Sequence, residues 1–129
     1  MFRKILMVVA VLFVLVGCGP SEVRLDANAN GTQKEIQRGT VLFITLDSNP
    51  TTGYSWQVAP IEPAIVRQVG NAEYKASAAA PGIVGSGGTE TFRFEPLSAG
   101  TTTLKLNYQR PWEKDVAPIK TFTVQITVR

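Results

Sequence analysis

The chain contains no histidine and a single cysteine, Cys18, among its 129 residues. Histidine is the commonest general base of enzymes, and a cysteine thiolate is a common nucleophile. A single cysteine cannot form an internal disulfide framework or a cysteine-based metal site. The carboxylates are scattered, and the one close pair, Glu113 and Asp115, favours a solvated loop face over an acid/base or metal site. We therefore expect a protein that is not an enzyme and that carries no metal and no cofactor.

The first residues have the composition of a secretory leader. Arg3 and Lys4 precede the apolar residues 5–16, a run shorter than the roughly 20 residues of a membrane-spanning helix. The segment that ends in Cys18, Leu15-Val16-Gly17-Cys18, closely resembles the lipobox of bacterial lipoproteins. This resemblance implies cleavage before Cys18 and lipid on its sulfur and amine. Gly19 is not the aspartate that often retains such proteins at the inner membrane, which favours the outer membrane.

Residues 1–17 are thus predicted to be a signal peptide that is removed, with an ordinary, unlipidated leader or a membrane stub as the alternatives. The remaining 112 residues are enough for one domain with a hydrophobic core. Their net charge is +1 rather than +3 because Arg3 and Lys4 are lost, so the sequence pI of about 9.2 gives no support for nucleic-acid binding. Residues 18–31 are predicted to be a lipidated cysteine and a tether that runs into a ragged first strand, where Val23 and Leu25 alternate. Residues 32–129 are predicted to be a single domain. A monomer anchored in a bacterial cell envelope is expected.

Short strand-like runs recur beyond the tether, with turn residues between them. Residues 40–46 are apolar at successive positions, which predicts a central strand buried on both faces. Runs that alternate with period two lie around Trp56, Phe92, Leu106 and Val124, and weaker ones at residues 65–69 and Tyr74. The pattern predicts an all-β, immunoglobulin-like antiparallel β-sandwich of about seven to eight strands, with Trp56 in its core.

Three segments between these runs carry residues that stiffen a loop or let a backbone approach a partner closely: Asn49-Pro50-Thr51-Thr52-Gly53-Tyr54, Gly85-Ser86-Gly87-Gly88 and Arg110-Pro111-Trp112. If successive strands alternate in direction, all three fall at the same end of the sandwich. This inference requires residues 64–75 to contribute one strand.

The residue types in these segments suit binding. Pro50 fixes the backbone ahead of a small tip, and Gly53 permits a positive φ angle. Arginine and tryptophan are enriched at binding hot spots, which directs attention to Arg110 and Trp112. Each feature also has an ordinary interpretation, as a turn former or as an aromatic ring packed on its own domain. Ser86 has no evident base partner, and its glycine-rich segment is not a phosphate loop because no Gly-Lys-Ser/Thr follows it.

Together, in this order and at these separations, the three segments resemble the chagasin-like inhibitors of cysteine peptidases, over roughly residues 31–128. The resemblance implies an immunoglobulin-like fold and reversible inhibition of papain-like peptidases by three loops laid across the active-site cleft. It places residues 49–54 in the centre, with Thr51 and Thr52 nearest the catalytic cysteine of the target. Residues 85–88 would flank one side and residues 110–112 the other. The alternative is a non-enzymatic surface adhesion or assembly module that binds another protein or a glycan.

Overall fold

The computed structural model describes residues 21–77 and 87–129. The predicted leader, Cys18 and the loop residues Gly85 and Ser86 lie outside the described residues. The described residues form nine strands: β1 (Glu22–Leu25), β2 (Thr32–Ile36), β3 (Val41–Ser48), β4 (Ser55–Val58), β5 (Val66–Gln68), β6 (Glu73–Ala76), β7 (Gly88–Pro96), β8 (Gly100–Gln109) and β9 (Lys120–Val128). Two short 3-10 turns lie at Ala27–Ala29 and Pro50–Thr52. In this part of the chain, no helix has the length and apolar character needed to cross a membrane.

The strands form two sheets whose inner faces share one hydrophobic core. The first sheet has the order β1-β3-β7-β5, with β6 also paired to β7, and the second has the order β2-β9-β8-β4. The predicted immunoglobulin-like sandwich is confirmed, with nine strands rather than seven to eight. The ladders are antiparallel except that β1 pairs with β3 and β2 pairs with β9 in parallel. Side-chain alternation has the same period in both pairings, so it could not distinguish them.

The sandwich begins earlier in the chain than the sequence indicates. Residues 22–25 pair with β3, and Leu25 and Ala29 are buried in the core. The chain then changes sheet at the turn Ala27–Ala29 and continues as β2. Residues 22–31 therefore belong to the domain rather than to the predicted tether. The alternation of Val23 and Leu25 indicates a ragged first strand, but four residues give too short a pattern to show that the strand pairs within the sandwich.

Strand β3 is buried on one face rather than on both as predicted. Its alternate residues from Leu42 to Leu46 are fully or almost fully buried, whereas Phe43 on the outer face is half-buried. The guanidinium carbons of Arg24 and Arg93 lie 4.4 and 6.0 Å from the centroid of the Phe43 ring. These cations lie beside the half-buried ring on the outer face of the sheet.

Trp56 is a core residue, as predicted. Its side chain is 8% exposed, and its ring centroid lies 5.0 Å from that of Tyr108 on the neighbouring strand β8. The indole Nε1 donates a hydrogen bond to the Asp47 carbonyl oxygen at 2.9 Å. Burial of this ring therefore leaves no polar atom unpaired and ties β4 to the end of β3.

Residues 64–76 contribute two strands, and yet the predicted placement of the loops holds. Both β5 and β6 pair with β7 in the antiparallel sense, so they run in the same direction. Between them, the Val69 amide still donates to the Arg93 carbonyl of β7 at 2.8 Å. The two strands are thus one interrupted edge strand, and the alternation of direction along the chain is preserved.

Candidate functional site

The first loop connects β3 to β4 and is held in place by short-range hydrogen bonds. Residues Pro50–Thr52 form a 3-10 turn, which Gly53 closes in the left-handed region with φ 83°. The Gly53 amide donates to the Pro50 carbonyl at 3.0 Å, and the Thr52 hydroxyl donates to the Asn49 carbonyl at 2.6 Å. The exposed tip, Thr51 and Thr52, is therefore supported by its own backbone.

This loop is also fastened to the core beneath it. The amide of Asn49 donates to the Tyr108 hydroxyl at 2.9 Å. The Tyr108 ring is 6% exposed and stacks against both Tyr54 and Trp56, with centroid distances of 5.5 and 5.0 Å. The position of the loop is thus set by the strands that carry it rather than by the loop alone.

The third segment, residues 110–112, packs directly on the first loop. The Trp112 side chain is 65% exposed, yet its ring covers Gly53 so closely that a Cβ atom there would lie 2.5 Å from Cη2 of the indole. Gly53 is needed for two reasons, because it has a positive φ angle and because it leaves room for this ring. The segment therefore presents an exposed aromatic surface whose orientation is fixed by its neighbour.

Arg110 joins the two loops through two contacts and makes a third within its own loop. Its Nε donates to the Thr52 carbonyl oxygen at 3.1 Å, and its Nη1 pairs with Glu113 Oε1 at 3.0 Å. Its guanidinium carbon lies 4.5 Å from the centroid of the Tyr54 ring. Glu113 is thus engaged with Arg110.

The second segment is described only at Gly87 and Gly88, on the other side of the first loop. Gly88 pairs with Ser48, and a side chain there would collide with the backbone carbonyl of Lys75. Gly87 has φ 76°, and a Cβ atom would lie 3.1 Å from the Ser48 carbonyl oxygen and 3.5 Å from Asn49 Cβ. These two glycines are required by the domain's own backbone, whereas the sequence suggested close approach by a partner.

The described parts of the three segments therefore lie together, with residues 49–54 in the centre. We call this surface the loop end, comprising residues 49–54, 87–88 and 110–112. Motifs in the sequence identified its exposed residues but missed three residues beneath and beside it, Tyr108, Glu113 and Glu90. Glu90 Oε2 accepts a hydrogen bond from the Trp56 amide at 2.9 Å. These three belong to no motif, and only the fold reveals what they contact.

The described residues around the loop end hold no cluster of metal ligands and border two recesses. Across residues 21–77 and 87–129, no group of three or more histidine, cysteine, aspartate or glutamate side chains could hold a metal ion. The depression formed by Tyr54, Gln109, Arg110, Glu113, Val116 and Ala117 has a volume of about 10 Å³. A larger recess of about 370 Å³, on the other side of the first loop, is lined by Asp47, Ser48, Asn49, Ser77, Gly87, Gly88, Tyr108 and Lys120. Beside these recesses, the exposed Thr51-Thr52 tip and the exposed Trp112 ring are available for contact with another molecule.

Comparison with known proteins agrees with this geometry. Amoebiasin-2 of Entamoeba histolytica is 36% identical over 94 residues, which cover 73% of this chain and 75% of the relative. Chagasin of Trypanosoma cruzi is 32% identical over 98 residues, covering 75% and 89% of the two chains. The crystal structure of EhICP2, a cysteine protease inhibitor from Entamoeba histolytica, superposes with a TM-score of 0.75 at 29% identity, covering 84% of this chain and 96% of that one.

The match extends over most of the sandwich. A sequence profile of the chagasin family peptidase inhibitors (I42) matches residues 35–126, which include all three loop segments and eight of the nine strands wholly or in part. With the fold, the loop end and the relatives in agreement, this chain belongs to the chagasin family of peptidase inhibitors.

Proposed function

We propose that the chain is a reversible inhibitor of papain-like cysteine peptidases and that the loop end fills the active-site cleft of the target. The observation that carries this proposal is the packing of Trp112 on Gly53, which fixes an exposed aromatic ring beside the Thr51-Thr52 tip. Binding by flexible loops would cost affinity because they must be ordered first. Loops already braced to each other and to the core avoid much of that cost.

Within this proposal each segment has a role. Thr51 and Thr52 are placed nearest the catalytic cysteine of the peptidase, because they form the exposed tip of the central loop. Arg110, Pro111 and Trp112 cover one side of the cleft. Gly85, Ser86, Gly87 and Gly88 cover the other side, where their described members lie against residues 48 and 49. Asn49, Pro50, Gly53 and Tyr54 hold the tip in position.

The chain acts without chemistry of its own. It contains no histidine and uses no cofactor in this scheme, and its one cysteine is assigned to lipid attachment. The inhibited complex therefore needs no covalent bond and forms as a one-to-one complex of a monomer with its peptidase. Dissociation returns both partners unchanged.

A panel of peptidases tests this function. Papain-like cysteine peptidases are assayed with increasing inhibitor, with a serine peptidase of similar substrate preference as the control. We expect competitive inhibition of the cysteine peptidases near stoichiometric ratios and none of the serine peptidase. Unchanged rates throughout would instead support the adhesion or assembly module.

We further propose that the chain is a bacterial lipoprotein anchored through Cys18 after removal of residues 1–17. The basic start, the short apolar run and the lipobox-like Leu15-Val16-Gly17-Cys18 support this proposal, since more than one acyl chain gives stable anchoring. Gly19 favours the outer membrane.

Cells that express wild-type or Cys18→Ser protein are labelled with a radioactive fatty acid. We expect label in the wild type alone, and equal labelling would show that the protein is not anchored at Cys18.

A further inference from the structure

The described chain enters the sandwich at the start of β3. The Ser21 carbonyl oxygen accepts a hydrogen bond from the Val41 amide at 2.9 Å, and the hydroxyls of Ser21 and Thr40 lie 3.1 Å apart. Residues 22–25 then run parallel to β3, with Glu22 opposite Val41. Because the first loop follows the last residue of β3, Ser21 lies at the opposite end of the sandwich from the loop end.

The orientation of an anchored domain on a membrane depends on the length of the sandwich and on the reach of the segment that connects it to Cys18. Strand β3 has 8 residues, so at about 3.3 Å per residue it separates the two ends by roughly 25 Å. Only Gly19 and Pro20 separate Cys18 from Ser21 in the sequence, and three residue steps reach at most about 11 Å. The connection is thus less than half as long as the sandwich.

Resting on the lipid anchor proposed above, we infer that the end carrying Ser21 meets the lipid surface and that the loop end is directed away from it. If the loop end faced the membrane, Ser21 would lie roughly 25 Å from the lipid, beyond the reach of the connection. The end that meets the lipid, here called the anchored end, includes the turns at residues 37–39, 60–64 and 97–99. It presents the exposed side chains of Arg38 and Leu97.

This orientation defines the kind of peptidase that can be bound. A peptidase free in the compartment reaches the loop end without approaching the lipid. A peptidase whose cleft faces the same membrane cannot reach it. Lengthening the connection should therefore leave inhibition of a soluble peptidase unchanged.

Fluorescent labels at the two ends test the orientation. In the lipoprotein the Cys18 thiol is occupied, so Ala99→Cys at the anchored end or Lys114→Cys near the loop end supplies the only thiol. Both positions are exposed. Each full-length, lipidated protein is added to vesicles of phosphatidylethanolamine and phosphatidylglycerol that contain a lipid with a nitroxide headgroup. We expect several-fold stronger quenching of the label at residue 99 than at residue 114. Equal quenching, or stronger quenching at residue 114, would overturn the inference.

Two controls distinguish the proposed membrane orientation from the proposed lipid anchor and the proposed peptidase inhibition. Insertion of a long glycine-serine segment after Pro20 should bring the quenching of the two labels closer together, because it removes the length limit. Failure of wild-type protein to float with vesicles would refute the anchor and the orientation together. Flotation with equal quenching would refute the orientation alone. Peptidase inhibition, measured separately in detergent, reports on the loop end and is not expected to depend on either result.

Discussion

At the scale of single residues, the loop end depends on how two exposed loops pack on each other. Trp112 is 65% exposed and yet fixed over Gly53, and Arg110 bridges to Thr52 and Tyr54. Exposed aromatic rings are ordinarily free to change rotamer. Here the glycine surface and the guanidinium restrict the loops before any partner arrives.

Removal of the Trp112 ring should separate binding from folding. We expect Trp112→Ala to lose about 2 kcal/mol or more of binding to a papain-like peptidase, the usual size of a hot-spot effect. The melting temperature should stay near that of the wild type because most of the ring is exposed. An inhibition constant and a thermal melt are measured for each protein. If the variant unfolds, and the fraction that stays folded inhibits normally, Trp112 stabilises the fold and does not contribute to binding.

Gly53 and Gly39 form a matched pair of glycines. Both have φ 83°, but only a Cβ atom at Gly53 meets the Trp112 ring, while Gly39 lies in open space on the anchored end. Substitution of either by alanine should cost about 1–2 kcal/mol of stability for the left-handed backbone. We expect Gly53→Ala alone to weaken inhibition, because the indole must move. Equal inhibition constants for the two variants would show that the Gly53–Trp112 contact is unimportant for binding.

Arg110 should act partly through the loop it braces. Lysine keeps the charge in Arg110→Lys but lacks the planar group that stacks on Tyr54 while donating to Thr52. We expect weaker inhibition, little change in melting temperature, and faster hydrogen exchange of the Gly53 and Tyr54 amides in the free protein. Glu113→Gln should have a smaller effect, because it removes one partly exposed ion pair and leaves the contacts of Arg110 with Thr52 and Tyr54 in place. Weaker inhibition without faster exchange would show that Arg110 acts only by direct contact with the peptidase.

At the scale of elements, alternation within strands predicted most of the sandwich. Trp56, Leu106 and Val124 lie on inward faces, as their period-two runs indicate. Alternation could not show that β1 and β2 pair in parallel, because those pairings depend on partners elsewhere in the chain. It also overestimated the burial of β3, because the outward Phe43 is only half-buried and lies beside two arginines.

Contacts between distant parts of the chain also could not be predicted at the loop end. The proline, glycine and tryptophan of its motifs mark exposed turns that could be identified from the sequence. Tyr108 belongs to the period-two run around Leu106, but the hydrogen bond that its hydroxyl accepts from the Asn49 amide depends on how the loop meets β8. Such contacts follow from packing in three dimensions and have no local signal.

The two tryptophans provide a test of the strand framework. Trp56 is 8% exposed and hydrogen-bonded to Asp47, so Trp56→Ala should lower the free energy of unfolding by roughly 3–5 kcal/mol. This would be a large share of the stability of a small domain without a disulfide. Trp112→Ala is the control and should leave the denaturant midpoint almost unchanged. A midpoint equally unchanged in Trp56→Ala would contradict the core position of this residue.

At the scale of the whole molecule, the two ends of the sandwich have different tasks. The end that carries Ser21 joins the connection to the proposed anchor, and the loop end presents residues 49–54 and 110–112 to a partner. Between them, the two sheets supply the rigidity that keeps the loops arranged. Changes at one end should therefore alter the orientation of the domain on the membrane without altering binding to the peptidase cleft. Changes at the loop end should do the reverse.

Binding to a peptidase whose cleft is already filled tests the central claim most directly. The affinity of the wild-type chain is measured for a papain-like peptidase with a free active site and for the same enzyme after its catalytic cysteine has reacted with a peptidyl blocker that fills the cleft. If the loop end occupies the cleft, the free enzyme binds and the blocked enzyme does not. Equal affinity for the two enzymes would contradict the account, because the chain would then bind outside the active site.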